Sequence, residues 1–242
     1  MNEAIKASQH IDVYNILGKS ISVMDEHQYA ILFWGAAALD LGKPLTLISI
    51  DYHPDTNPPF WMMAYQRAVA IDPERADALV ASMGNTVLAR IQRENLESLE
   101  AVMTHMNNDE QINTAMALGY LSDYHMLNAM EKHVYPTGHH YLVPWDVVGD
   151  LSDGMFKSAG FEVEAVGQPY ILDIDLDYFM RPEDLKLGGE HHLFKTLVQG
   201  ATCITVARSK KYFHYLRQDK TYALEQCEED LLKVLESFLS SP

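Results

Sequence analysis

Alternating strand-like and helix-like stretches predict a three-layer α/β/α fold around a mainly parallel sheet, in one domain spanning residues 1–242. Three observations carry that prediction. Short apolar runs of strand length recur near 21–24, 45–50, 140–144, 170–177 and 202–207. Helix-like stretches alternate with them, near 28–41, 75–105, 115–132, 146–158 and 221–239. A chain of 242 residues that is 48% hydrophobic can also bury a full core.

In chain order, the first 20 residues read as a strand or an arm, and the run 21–24 leads through Asp25-Glu26-His27 into the apolar, helix-like 29–34. The β-branched run 45–50 ends in Asp51-Tyr52-His53-Pro54-Asp55, where Pro54 stops the strand and turns the chain. Two prolines stiffen the loop 56–61, whose Phe60 and Trp61 either wall a substrate entrance or anchor the loop to the core. The Met-rich, Pro-poor stretch 64–130 reads as a helical insertion or crossover with methionine as core filler. After the run 203–207, the basic residues Arg208, Lys210, Lys211, Arg217 and Lys220 read as a solvated helix face, and Ser240-Ser241-Pro242 as a frayed end.

The chemistry concentrates where strands end. In 171–179, Ile-Leu-Asp-Ile-Asp-Leu-Asp-Tyr-Phe, period two places Asp173, Asp175 and Asp177 on one face. Same-face neighbours lie about 7 Å apart, and like charges that close in a partly desolvated place oppose ionisation. A bound cation removes the conflict. Asp51 and His53 share a face in the same way, with Asp55 at the tip of the turn, and sites in open α/β sheets form at the carboxyl ends of strands. His27 alone is weak evidence, which the other two clusters strengthen. Carboxylates together with two imidazoles suit manganese better than a thiolate-seeking metal. Neither Cys203 nor Cys227 has a C-x-x-C partner, which argues against a structural zinc site.

These three segments, in this order, resemble the motifs of the arginase/ureohydrolase superfamily, and more narrowly a divergent branch that includes peptide arginases. The resemblance implies an arginase-like fold holding two Mn2+ ions, with His27 and Asp55 on one, His53 and Asp177 on the other, and Asp51 and Asp175 bridging both. Asp173 falls where the family has serine, and becomes a ligand instead if the register slips by two. The implied reaction is hydrolysis of an arginine side chain, within a peptide, to ornithine and urea, with Asp55 orienting water and passing on its proton.

The chain departs from the family twice. Phe60-Trp61-Met62-Met63 stands where arginases carry a Gly-Asn-x-His histidine, which leaves Asn113, His125 and the pair His139-His140 as candidates for the general acid. Arg208 follows the last strand where arginases place a guanidinium-binding glutamate, so Glu26, Asp173 or Glu190 is expected to meet the substrate, with Trp61 beside it. Two other readings stay open: a one-metal, deacetylase-like amidohydrolase using Asp51 and His53, and a metal-binding regulator without catalysis.

Composition narrows the partners. Lys+Arg 18 against Asp+Glu 34 gives a formal charge of -16, which argues against nucleic acid and fits an arginine-bearing peptide or other guanidino compound. The sequence shows no apolar run of membrane-spanning length and no signal segment, so a cytoplasmic protein is expected, with homo-oligomer formation left open.

Overall fold

Seven strands make up one sheet in the computed structural model, which describes residues 10–130, 138–163 and 166–240. They are β1 (Asp12–Ile16), β2 (Lys19–Met24), β3 (Leu45–Asp51), β4 (Leu121–Asn128), β5 (His139–Leu142), β6 (Tyr170–Asp175) and β7 (Ile204–Ala207). Their order across the sheet is β1-β2-β7-β6-β3-β4-β5. Only β1 is antiparallel to its neighbour, across a tight turn in which Leu17 and Gly18 both take positive φ. The other pairs are parallel, so their carboxyl ends share one edge.

Helices cover both faces, which gives three layers. Along β3, Leu45 and Leu47 enter one core while Ile48 and Ile50 enter the other, and β6 splits Ile171 from Tyr170, Leu172 and Ile174 in the same way. Helices α1 (Ala30–Leu41), α4 (Leu96–Glu100) and α5 (Gln111–Ala117) cover the first face. Between α1 and α4 run α2 (Trp61–Ile71) and α3 (Ala76–Leu88), which pack on each other and form a small satellite core. Helices α6 (Asp153–Ala159), α7 (His192–Gly200), α8 (Lys210–Leu216) and α9 (Leu224–Ser240) cover the second face. Gly42, at φ 65°, ends α1 with its N–H on Leu39 and that of Lys43 on Ala38, the hydrogen-bond closure that a left-handed residue permits. No helix among the described residues is long and apolar enough to cross a membrane.

Three expected elements differ. The stretch 115–132 is not a helix: α5 ends at Ala117 and β4 follows. Its Tyr124-His125-Met126-Leu127-Asn128 is buried on both faces between β3 and β5, so neither alternation nor propensity marks it, and the slot in the sheet decides. The expected helix 75–105 is α3, a break and the short α4, where Asn95 caps the Glu97 N–H. Helix 146–158 is confined to α6, which Ser152 caps, its Oγ accepting from the Met155 N–H at 3.3 Å.

Arg208 does not lie on a solvated helix face. It is buried, donating to Glu228 at 2.6 and 2.9 Å and to Asp25 at 3.1 Å, and pairing with Asp12, so that it ties β1 and β2 to α9. Burial alone would lower its pKa, but hydrogen bonds to Glu228 and Asp12 outweigh it and hold the guanidinium charged. Arg208→Ala leaves these acids uncompensated and is expected to cost about 3 kcal/mol of stability in urea unfolding, with metal content unchanged. A variant as stable as the wild type would show the network to be idle.

Candidate metal centre

The carboxyl ends of β2, β3 and β6 bring six side chains together. Asp51 is the last residue of β3, and the chain then turns through His53 and Pro54 to Asp55, held at φ 40°. Asp175 is the last residue of β6, and a single 3-10 turn, Leu176–Tyr178, carries Asp177. Asp177 thus reaches the site through this turn rather than through strand periodicity. The Asp175 Oδ1 accepts the Asp177 N–H at 3.0 Å and fixes the turn. His27 opens the turn between β2 and α1 and is wholly buried.

Distances show how these side chains converge. His27 Nδ1 lies 2.8 Å from Asp55 Oδ2, 3.2 Å from Asp175 Oδ2 and 3.5 Å from Asp51 Oδ2. His53 Nδ1 lies 2.9 Å from Asp177 Oδ2 and 3.8 Å from Asp51 Oδ1. Despite this crowding, His27 Nδ1, Asp51 Oδ2 and both carboxylate oxygens of Asp177 lack hydrogen-bond geometry to any partner among the described residues. Buried polar atoms left so are costly. Donor atoms about 3 Å apart that do not point at one another point at a common third place. His27, Asp51 and Asp175 form one buried group that could hold a metal ion, and Asp51, His53 and Asp177 form a second, with Asp51 in both. The donor set, oxygen-rich with one imidazole in each group, fits hard divalent cations such as manganese.

Asp173 is not a substrate residue and not a member of either group. It is wholly buried below the centre, where its Oδ2 contacts His27 Nε2 at 2.8 Å and accepts from Ser49 Oγ at 2.9 Å, and its Oδ1 accepts from Thr205 Oγ1 at 2.6 Å. Ser49 and Thr205 fix the carboxylate, and its Oδ2 faces His27. A carboxylate on one ring nitrogen fixes the tautomer and turns the lone pair of the other, Nδ1, toward the carboxylates. Asp173→Asn is expected to weaken metal binding about 10–100-fold while the other donors stay in place, as isothermal titration with manganese would read. Wild-type affinity in that variant would remove Asp173 from this role.

Protonation states report the same strain. Burial, followed by the charges of Asp55, Asp175 and Asp177, raises the Asp51 carboxyl well above its usual range. Burial and the Asp175 charge push Asp177 up to about 6. For His53 burial acts downward, but the adjacent Asp177 and Asp51 carboxylates outweigh it and raise the imidazole to about 12. His27 is likewise raised, against its own burial, by Asp173 and the neighbouring carboxylates. Without a cation, protons must hold this cluster together.

Above the centre lies a cleft of about 250 Å³. Asp55, Asp175 and Asp177 line its floor, and Asp109, Met130 and Tyr212 line its sides. No lysine or arginine among the described residues lines it. Asp109 is held by the side-chain amides of Asn57 at 2.7 Å and Asn107 at 2.8 Å. Tyr212, on α8, meets the His53 ring edge-on at 5.0 Å. Ser209 donates to Asp175 Oδ2 at 2.5 Å and Gln111 donates to Asp55 Oδ2 at 2.9 Å. Asp55 and Ser209 both hold positive φ at the cleft, the kind of local strain that clusters at functional sites.

Several other expected site residues lie elsewhere. His125, paired with Ile48 in mid-strand, points into the core on the opposite face of the sheet, where burial and then the His139 charge lower its pKa, so it is not the general acid of this cleft. His139 lies beside it, and neither His139 nor His140 lines the cleft. Asn113 donates to the Thr56 carbonyl at 2.5 Å, clamping the loop after β3 rather than facing the cleft. Trp61 stacks on Tyr65 at 5.3 Å and packs against the α2–α3 core, while Phe60 is wholly buried, so both aromatics anchor the loop. Gly84 lets α3 close on that loop, since a Cβ there would meet the Pro59 carbonyl at 2.6 Å. Glu190 is exposed beside Asp153 and His192, away from the cleft. Glu26 is exposed next to Asp25 and does not line the cleft, although burial, Asp25 and Asp175 raise its carboxyl.

The sequence reading missed Ser49, Thr205, Ser209, Gln111, Asp109 and Tyr212. Ser49 was within reach, because it stands two residues before Asp51 and so shares its face. The others come from segments that only the sheet register and crossovers bring here.

No family model and no curated protein sequence matches this chain. Among solved structures it is similar to proclavaminate amidino hydrolase from Streptomyces clavuligerus, at 11% identity and a TM-score of 0.44, over 90% of this chain and 63% of that one. The chain therefore spans less than two thirds of the length of that neighbour.

Proposed function

We propose that the chain is a binuclear metal-dependent hydrolase of the ureohydrolase type that cleaves a C–N bond of a guanidino group. One observation carries this reading: buried donors of His27, Asp51 and Asp177 converge without hydrogen-bonding one another, in two groups that share Asp51. In it His27 and Asp55 would hold one ion, His53 and Asp177 the other, and Asp51 and Asp175 would serve both. Manganese is the expected metal, and two such ions would supply Lewis acidity and a water acidic enough to be a nucleophile near neutral pH.

The cleft supports a cationic substrate. Four of its lining residues are aspartates, and Asp109, oriented by Asn57 and Asn107, stands clear of the metal-ligating set. Asp109 takes the part of guanidinium partner that Arg208 cannot play. Asp55, at the floor with its Oδ2 held by Gln111, is placed to orient water and carry its proton. The expected substrate is an arginine side chain in a peptide, yielding ornithine and urea.

Mass spectrometry of an arginine-containing peptide, incubated with the protein and manganese, tests the reading. Conversion of arginine to ornithine with release of urea supports it. Bound metal without any change in the peptide favours the non-catalytic regulator, and deacetylation of an acetylated amine favours the one-metal amidohydrolase.

A further inference from the structure

The opposite face of the sheet carries a separate gathering of metal-capable side chains, at the edge where β5 pairs with β4. His125 and His139 are register partners, and their rings stack with centroids 4.6 Å apart and an interplanar angle of 14°. Asp123, two residues before His125, shares its face, and its Oδ2 lies 3.1 Å from His139 Nε2. One ligand atom from each of the three lies within 4.8 Å of the others. His125 is 1% exposed, and its Nδ1 meets the Tyr141 hydroxyl at 3.1 Å. Its Nε2 has no hydrogen-bond partner among the described residues.

An imidazole buried with one nitrogen idle is a poor filler for an apolar core, since the idle atom carries a desolvation cost that a phenyl ring would not. The surroundings, with Tyr141 stacked on one side and Phe161 edge-on at 6.0 Å, would accept such a ring. The histidine has a use if its free nitrogen binds something.

We propose that Asp123, His125 and His139 form a second metal site, independent of the Asp51 cluster, for one divalent transition-metal ion of the zinc class that pins edge strand β5 to β4. Two imidazole nitrogens and one carboxylate oxygen are a borderline donor set, which suits zinc better than the oxygen-rich centre does. The 3.1 Å between His139 Nε2 and Asp123 Oδ2 is close to the roughly 3.3 Å edge of a tetrahedron with bonds of about 2.0–2.1 Å. A hydrogen bond from His125 Nδ1–H to Tyr141 would fix the tautomer that leaves the Nε2 lone pair for the ion. Burial lowers the His125 pKa, the direction that ligation by a neutral imidazole needs. His139 and Asp123 are 54% and 40% exposed, which gives the ion a way in and leaves a fourth position to solvent.

The test loads the whole protein with zinc, removes excess by dialysis and measures bound metal. The wild type is expected to retain one equivalent more than His139→Ala and Asp123→Asn. His140→Ala, on the other face of the same strand, should match the wild type. Loaded with cobalt instead, the wild type should show the visible absorption of a four-coordinate ion, which His139→Ala should lack. Asp177→Asn should keep that absorption, which separates this site from the Asp51 cluster. Equal zinc content in the wild type and His139→Ala, or an unchanged cobalt spectrum, would overturn the proposal. Both variants change exposed residues, so folding is not at stake.

Discussion

Asp51→Asn is expected to abolish metal binding and activity while raising the melting temperature of the metal-free protein. Asp51 is wholly buried, belongs to both groups of donors, and is surrounded by the charges of Asp55, Asp175 and Asp177. In the proposed centre it would serve both ions, so its loss should exceed the roughly 10–100-fold effect of losing a carboxylate behind a ligand. In the metal-free state the same residue is a liability, because it adds a carboxyl to a crowded, desolvated place. Each kcal/mol relieved should raise the melting temperature by about 2–4 °C in a chain of this size. Differential scanning calorimetry with and without manganese reads both effects. A variant that melts below the metal-free wild type, or that still gains from manganese, would show that Asp51 is a structural acid and not a shared ligand.

The second large effect is on pH. Metal ligation requires Asp51 and Asp177 as carboxylates and His53 as a neutral imidazole, yet all three are raised, Asp177 to about 6 and His53 to about 12. Each proton displaced should raise metal affinity about tenfold per pH unit until that group is deprotonated. For the metal-free protein the sign is opposite. A raised folded-state pKa stabilises below the unfolded value, so the Asp177 contribution is fully present below about 4 and lost as pH rises through about 6. The His53 contribution is present below about 6.5 and fades on the way to about 12. The stabilisation conferred by manganese should therefore grow between about pH 5 and about pH 8, a window that brackets the Asp177 transition at about 6. Thermal melts across that range check it, and a manganese-induced shift that stays flat with pH would mean that no protons leave the site.

Local patterning made much of this legible in advance. Strands with aspartate at their carboxyl ends identified β3 and β6, and motif order put His27 with them, because these donors depend on short-range features: where a strand stops and which face a residue takes. Asp173 was the ambiguous one. Strand period put it on the face of Asp175, and only the depth of the sheet, with Ser49 and Thr205 on neighbouring strands, made it the support of His27 instead of a ligand. His125 and Arg208 failed for a related reason. His125 was read on a helix, whereas β4 turns it to the far face, and Arg208 leaves the end of β7 away from the cleft, toward Glu228 and Asp12.

The sequence by itself determined the donor types, their positions at strand ends and the mainly parallel layering, since each follows from periodicity over a few residues. The tertiary structure alone decided which carboxylate supports a ligand, which aspartate walls the cleft and which histidines lie on the other face. Those choices depend on register between strands distant in sequence. A shift of one residue in that register sends a side chain to the opposite side of the sheet.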